Sequence, residues 1–375
     1  MSILVVRPRA SGGLAAHVDQ ELAVLRRAGV DVREAAVTIR ERPHLREDAR
    51  TIQALRRQVA QTPGPVTVHA HGLRAGALTA LALPRRRHRL VVTLHNLPIG
   101  SRATRLIGTA LLRILARRAD AVLAVSPDLA AAARAAGARE VHHAVIPAPA
   151  REHRSDAQSA ALPVSPTDDA PAVDRGHGEP GHPAGPAPTE ALRALVIARL
   201  APQKGLDTLL DAAALLHQPP HRHEPDAPPR VHIDIAGDGP LHDQLAARIA
   251  REDLPVRLLG RREDIPALLA SSDLVISAAR WEGQPVSLQE ALQAGRAIVA
   301  TDAGGTRWVT GGAAALVPVG DAPALAAAIR ALADPDVRRH AEAAARRRAR
   351  DLPDAEDLLG QLRTVLTPSG ADLIG

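Results

Sequence analysis

Leu192-Arg193-Ala194-Leu195-Val196-Ile197-Ala198-Arg199-Leu200-Ala201-Pro202-Gln203-Lys204-Gly205 decides how this chain is built. An apolar run ends at Ala198, and a turn punctuated by Pro and Gly precedes the helical pattern that starts at Leu206. A strand feeding a turn and then a helix is the unit of a parallel α/β sheet. Such sheets bind ligands outside the carboxyl ends of their strands, where Arg199 and Lys204 stand. Lys204 is the one lysine of the chain; the other forty-six Lys-plus-Arg side chains are arginine. In so arginine-biased a sequence, a lysine suggests a place where a compact ammonium must meet phosphate oxygens. One lysine also falls somewhere by chance, so its neighbours carry the reading.

Working outward, the strand–helix alternation extends both ways. Strands are expected at Ser2–Arg7, Val32–Val37, Val66–His71, Leu90–Leu94, Ala121–Val125 and Val141–Ile146, with helices such as Leu14–Arg27, Arg102–Arg118 and Pro127–Ala136 between them. After Leu192–Ala198 further strands are expected at Val231–Ala236, Val256–Leu259, Leu274–Ser277, Ala297–Ala300 and Ala315–Val317. From 150 to 188 the periodicity collapses into Pro, Ala, Gly, Asp, Ser and His, which cannot bury enough apolar surface to offset its ordering entropy. Gln218–Arg230 is a second Pro/His-rich loop. The expectation is α/β: an amino-terminal Rossmann-like domain over 1–149, a disordered linker or insertion over 150–188 and a carboxy-terminal Rossmann-like domain over 189–350. A helix and tail over 351–375 would pack back on the first domain, and a cleft would lie between the two domains.

Composition narrows the classes. Hydrophobic residues are 46% and aromatics 1%, so the cores must be Leu, Val, Ile and Ala. There is no Cys, which excludes disulfides, a thiol nucleophile and a cysteine metal site. Residues 1–7 lack the basic start and the long apolar stretch of a signal peptide, and no run approaches the roughly 20 apolar residues of a membrane span. A soluble, cytoplasmic protein is expected. The formal charge of +6 divides into +13 for residues 1–150 and −7 for the rest. Basic clusters at Arg85-Arg86-Arg87-His88-Arg89 and at Arg113, Arg117 and Arg118 suit peripheral contact with an acidic membrane, on its inner face. A solvated arginine-rich surface reads equally well. Nucleic acid is not expected, since almost no aromatic rings are available to stack on bases.

Several segments carry candidate chemistry. Ser11-Gly12-Gly13 follows the first strand and opens a helix, where backbone amides can approach a phosphate; a plain tight turn reads equally. His69 and His71 in Val68-His69-Ala70-His71-Gly72, and His95 in Leu94-His95-Asn96, end strands at the cleft. A histidine there can bond a sugar hydroxyl or a phosphate; His69 reads better as structural, His95 as functional. No H-E-x-x-H spacing occurs, so zinc is not expected. Arg199 and Lys204, five residues apart across a turn, can converge on one diphosphate. Ile235-Ala236-Gly237-Asp238-Gly239-Pro240 is a strand running into a tight turn on the cleft floor.

The most specific segment is Glu282-Gly283-Gln284-Pro285-Val286-Ser287-Leu288-Gln289-Glu290-Ala291, with seven residues between its glutamates. Pro285 suits the first helical position, leaving amides near Val286 and Ser287 free for phosphate. Glu290 can accept from a ribose diol, and Glu282 can reach a sugar ring. An amphipathic helix beginning near Glu accounts for the pattern equally. Ala303-Gly304-Gly305-Thr306 adds another strand–glycine turn at the same edge.

In this order and spacing the segments resemble the retaining GT-B glycosyltransferases of the Glu–seven–Glu family, which includes sucrose synthases and phosphoinositol mannosyltransferases. The resemblance spans the chain outside 150–188. It implies transfer of a sugar from a nucleotide-diphosphate sugar to a hydroxyl acceptor, with no metal and no other cofactor. By that resemblance Gly12, Gly13, Arg199, Lys204, Gly237, Arg261, Glu282, Gly283, Gln284, Val286, Ser287 and Glu290 bind the donor. His17, His71 and Asn96 line the acceptor side, while His95, Glu282, Arg199 and Lys204 serve the chemistry. Departures are Gln284 where the family has Phe, Trp308 where it has an acidic residue, and Pro147-Ala148-Pro149 for Pro-Asn-Gly. Alternatives are a degenerate sugar-nucleotide-binding protein without turnover and, further off, a GT-B sugar-nucleotide epimerase.

Overall fold

A computed structural model describes residues 2–9, 13–40, 44–84, 87–96, 101–147, 191–217 and 230–367. Gly12, Arg85, Arg86, the expected linker and most of the second Pro/His-rich loop lie outside these residues. The first half runs β1 (Ser2–Val6), α1 (Gly13–Arg27), β2 (Val32–Glu34), α2 (Leu45–Gln61), β3 (Val66–His71), α3 (Leu73–Ala82) and β4 (Arg89–Leu94). It continues with α4 (Arg102–Ala116), β5 (Ala121–Ala124), α5 (Pro127–Ala135) and β6 (Val141–His143). The second half runs β7 (Leu192–Ile197), α6 (Leu206–His217), β8 (Val231–Ala236), α7 (His242–Arg251), β9 (Val256–Gly260), α8 (Ile265–Ser271) and β10 (Leu274–Ser277). Then come α9 (Val286–Gln293), β11 (Ala297–Thr301), α10 (Thr306–Thr310), β12 (Ala315–Val317), α11 (Ala322–Ala331), α12 (Pro335–Ala349) and α13 (Ala355–Leu366).

The strands form two six-stranded parallel sheets, ordered β2-β1-β3-β4-β5-β6 and β12-β11-β10-β7-β8-β9. Every residue of β3 and of β11 is buried, as a parallel sheet covered by helices on both faces requires. That is why these strands read as unbroken apolar runs. β2 and β6 are shorter than their sequence patterns, three residues each, because the edge strands lose their partner beyond that register.

The strand order reverses once in each sheet. Chain progression steps from β1 outward to β2 and then crosses back to β3 on the other side of β1. In the second sheet it runs β7-β8-β9 and returns to β10 beside β7. At each reversal the loops leaving adjacent strands diverge and open a crevice at the carboxyl edge.

One helix crosses between the halves. α13 follows the second sheet in sequence but packs on the first, with Leu358, Leu362, Val365 and Leu366 buried in the amino-terminal core. Its start is fixed by a capping box, in which Asp354 accepts from the Asp357 N–H while the Asp357 side chain accepts from the Asp354 N–H. Its end is tied by Thr67 Oγ1 donating to the Leu366 carbonyl (3.0 Å) and Arg89 Nε donating to the Val365 carbonyl (2.8 Å).

Candidate active site

The crevice of the second sheet is built from the turns after β7 and β10. After β7 the chain makes one 3-10 turn, Pro202–Lys204, and leaves it through Gly205 at φ 60°. A Cβ on Gly205 would lie 2.0 Å from the Ala278 carbonyl oxygen, so only glycine fits the left-handed backbone and the close approach. The two turns are further joined by the Arg280 N–H donating to the Gln203 carbonyl (2.8 Å). This contact brings Lys204 Nζ to 2.5 Å from Glu282 Oε1, an ion pair that is one-fifth exposed or less on each side. Arg199 is exposed and has no side-chain partner among the described residues. The cation pair expected for a diphosphate is therefore one guanidinium without a partner and one ammonium held by a carboxylate.

The loop after Glu282 presses on the first half of the chain. A Cβ on Gly283 would lie 2.5 Å from Val125 Cγ2 and 3.6 Å from the His95 carbonyl oxygen. Gly305 N–H donates to the Glu282 carbonyl (3.0 Å), so the Gly304-Gly305 turn backs the same loop. α9 begins at Val286, and Pro285, expected at the first helical position, is its N-cap in extended conformation. Val286 and Ser287 N–H make no hydrogen bond among the described residues, whereas Leu288 and Gln289 N–H bond back to Pro285. Glu290 lies half-buried one turn on, and burial pushes its carboxyl above the usual range. Gly237 occupies the turn after β8, where a Cβ would meet the Ala198 carbonyl oxygen at 1.9 Å. Arg261 is exposed at the end of β9.

Two of the expected site residues have other partners here. Gln284, expected near the donor sugar, donates from its amide nitrogen across the interface to His143 Nε2 (2.8 Å) and to the Ala144 carbonyl. A polar amide in this loop finds unpaired acceptors at the end of β6, and a phenyl ring could not. His71, expected to line the acceptor side, is completely buried. Of the other acceptor-side residues Asn96 is exposed and His17 is 5% exposed.

His71 lies in a cluster at the reversal of the first sheet. His17 comes from α1, His69 and His71 from β3, and His95 follows β4. His17, His69 and His71 share Glu21, fully buried, which sequence reasoning missed although its spacing of four from His17 places both on one face of α1. His69 Nδ1 donates to Glu21 Oε1 (2.6 Å), and His69 Nε2 and Thr93 Oγ1 share a hydrogen bond (2.8 Å), so both ring nitrogens of His69 are used within the core. Desolvation pushes His95 well below its usual range and His17 down to about 4. Both rings are neutral at pH 7 and offer hydrogen bonds rather than charge. Glu21 is held well below the carboxylate range: His69 and His71 outweigh the desolvation that opposes them.

Further contacts missed by sequence reasoning bridge the two halves. Trp281 Nε1 donates to Asp128 Oδ2 (2.7 Å), Gln289 Nε2 donates to the Ile146 carbonyl (3.1 Å), and the Trp308 indole packs against the His143 ring. Both tryptophans of the chain thus sit at this interface.

The family profile described as glycosyl transferases group 1 matches residues 191–334, and that of the glycosyl transferase 4-like domain matches residues 2–149. The chain belongs to the group 1 glycosyltransferases. Solved structures agree on the GT-B fold. Anabaena Alr3699/HepE, determined in complex with UDP, superposes on this glycosyltransferase with TM-score 0.68 at 20% identity, over 98% of this chain and 99% of that one. Sucrose-phosphate synthase from Thermosynechococcus elongatus gives TM-score 0.71 at 18% identity over 96% and 98%. OtsA, in its apo structure, gives 0.72 at 14% over 99% and 100%. No curated protein matches the sequence.

Proposed function

We propose that this glycosyltransferase moves a sugar from a nucleotide-diphosphate sugar to a hydroxyl acceptor with retention of anomeric configuration. The observation that carries the reading is the Lys204–Glu282 pair at one strand-order reversal, with Arg199 on the loop leaving β7 and the start of α9 on the loop leaving β10. On this reading Arg199 and Lys204 take the diphosphate, supported by the Val286 and Ser287 amides and the α9 dipole. As the glycosidic bond breaks, negative charge develops on the departing phosphate, and preorganised cations there stabilise the transition state. These side chains supply the neutralisation that a divalent ion supplies in other phosphate sites, so the diphosphate step runs without metal. Lys204 must exchange Glu282 for phosphate, which frees the Glu282 carboxylate to turn toward the donor sugar beside its anomeric carbon. Glu290 accepts from the ribose diol. Gly237 and the backbone at Arg261 line the nucleotide, while Gln284 bears on the donor by latching its loop shut. His95, neutral and adjacent to Gly283, bonds a sugar hydroxyl, and the leaving phosphate takes the acceptor proton. HepE binds UDP, which supports a uridine nucleotide as the first donor to test.

The acceptor is assigned to the amino-terminal half, through Asn96 and the rim of His17, with Gly13 opening α1 beside them. α4 adds a reason to expect a lipid-linked acceptor. It carries no acidic residue, its Leu106 and Ile107 are 72% and 49% exposed, and Arg102, Arg105 and Arg113 flank them. Such a basic face with apolar tips lies on an anionic membrane without crossing it. Among the described residues no helix is long and apolar enough to cross a membrane.

The test is a panel of UDP-, GDP- and ADP-sugars offered with lipid and soluble hydroxyl acceptors, reading nucleotide release and the anomeric configuration of the product. Inverted product would overturn retention. Binding without release across the panel would favour the non-catalytic alternative, and acceptor-independent release of free sugar the epimerase.

A further inference from the structure

One cluster among the described residues is unused by the donor chemistry. Glu21 Oε1 is bonded by His69, but Glu21 Oε2 is buried and has no hydrogen-bond partner. Facing it are His71 Nε2, 3.3 Å away and likewise without an aligned hydrogen bond, and His17 Nε2 at 4.0 Å. All three side chains are at least nine-tenths buried, and the donor atoms one from each lie within 4.8 Å of one another. Glu21 Oε2 and His71 Nε2 face each other as a buried ion pair without hydrogen-bond alignment, and His17 Nε2 lies beside them, an arrangement that one cation among the three would satisfy.

We propose that His17, Glu21 and His71 form a three-ligand site for one divalent first-row metal ion, with zinc the best fit. An ion 2.0–2.1 Å from its ligands in tetrahedral geometry holds them about 3.3 Å apart. The Glu21–His71 pair already has that spacing, while His17 Nε2, 4.0 Å from Glu21 Oε2, must move in to complete the set. Two imidazoles and one carboxylate suit zinc rather than calcium or magnesium, which take mostly oxygen ligands. His69 supplies the outer support such sites show, holding the ligating carboxylate while Thr93 holds His69. The ion would tie α1 to the end of β3 across the reversal of the first sheet, away from the diphosphate cations on the second.

A consequence reaches the transfer site. His71 Nδ1 lies 3.3 Å from His95 Nε2. With metal on His71 Nε2, the proton of His71 must sit on Nδ1 and is donated to His95 Nε2. His95 then carries its own proton on Nδ1. Without metal, Glu21 competes for a proton on His71 Nε2, and the pair is free to reverse. The ion would act as a tautomer lock on His95.

The test uses the tag-free full chain carrying His221→Gln and His223→Gln, which removes adjacent loop histidines that could take zinc. Zinc is titrated against a chelating dye, and cobalt is followed by its visible absorption. The expected result is about one zinc per chain with a tetrahedral cobalt spectrum, a raised Tm on zinc addition, and at least about tenfold weaker binding in His17→Gln and in Glu21→Gln. His17→Gln keeps the comparison available if loss of the buried carboxylate prevents folding. A parent chain that takes up no zinc or cobalt, or one that binds as tightly as both variants, overturns the proposal. Because no donor is present, the result stands apart from the fate of the transfer reading.

Discussion

Lys204 and Glu282 are 78 residues apart in sequence, yet Lys204 Nζ donates to Glu282 Oε1 across the reversal of strand order between β7 and β10. The pair makes the empty donor site self-neutralising. A diphosphate must displace Glu282 from Lys204 before it can use the ammonium. Glu282→Gln is expected to tighten binding of the free nucleoside diphosphate by up to about fivefold, since a partly exposed pair is worth about 1 kcal/mol or less. The same change should lower kcat at least about tenfold if the carboxylate serves the donor sugar. Titration calorimetry and steady-state rates on one protein read both effects; weaker nucleotide binding with unchanged kcat would refute the competition.

Glu290 should trade stability for binding. Its folded-state pKa is raised by burial, so between the unfolded and folded values the native state holds more protons than the unfolded one. Stability contributed by this group therefore falls as pH rises through that window, and at neutral pH the buried charge is a net cost. Glu290→Gln is expected to raise the Tm of the donor-free protein at pH 7 and to weaken donor binding about tenfold or more. Scanning calorimetry beside donor titration checks this, and a lower Tm without donor would contradict it.

His143 links pH to the interface. Burial pushes its pKa down to about 3, and its neutral Nε2 accepts from Gln284. The unfolded or opened state takes a proton near the ordinary value, so closed-state stability is lost as pH falls from about 6.5 toward about 3. With no Tyr and both Trp residues at this contact, intrinsic fluorescence reports it selectively. An acid-induced change in Trp emission ahead of global unfolding is expected, shifted or abolished in His143→Gln. Emission that follows unfolding alone in both proteins would disprove it.

Helix α13 should hold the amino-terminal core. Leu362 is fully buried there, and Leu362→Ala is expected to cost about 2–5 kcal/mol by lost transfer energy and a residual cavity. Denaturant unfolding would measure it, and a loss below about 1 kcal/mol would mean that α13 is dispensable to the core.

The strands were legible, though not their order in the sheet, because parallel strands buried on both faces read as apolar runs, as at Val66–His71 and Ala297–Ala300. The loops of the donor crevice were legible because glycine and lone charges stand at strand ends, as at Lys204-Gly205 and Glu282-Gly283. The partners of those groups were not. Glu21 looks like one more helix-surface acid until β3 supplies His69 and His71 from 48 and 50 residues away. Gln284 has no local signal of its attachment to His143, because that contact forms between the two halves. Pairings that depend on which faces meet in space leave no spacing rule in one sequence.

The central claim is that Lys204 holds the diphosphate of a nucleotide-sugar donor. Titration calorimetry of UDP, GDP and ADP against the parent chain, Lys204→Ala and Lys204→Arg tests it most directly. At least one nucleotide should bind the parent chain. Lys204→Ala should weaken it at least tenfold, about 1.4 kcal/mol, and Lys204→Arg should not restore it, because a guanidinium cannot take the ammonium's place in this turn. Equal affinity in all three proteins, or no nucleotide binding to the parent chain, would contradict the account.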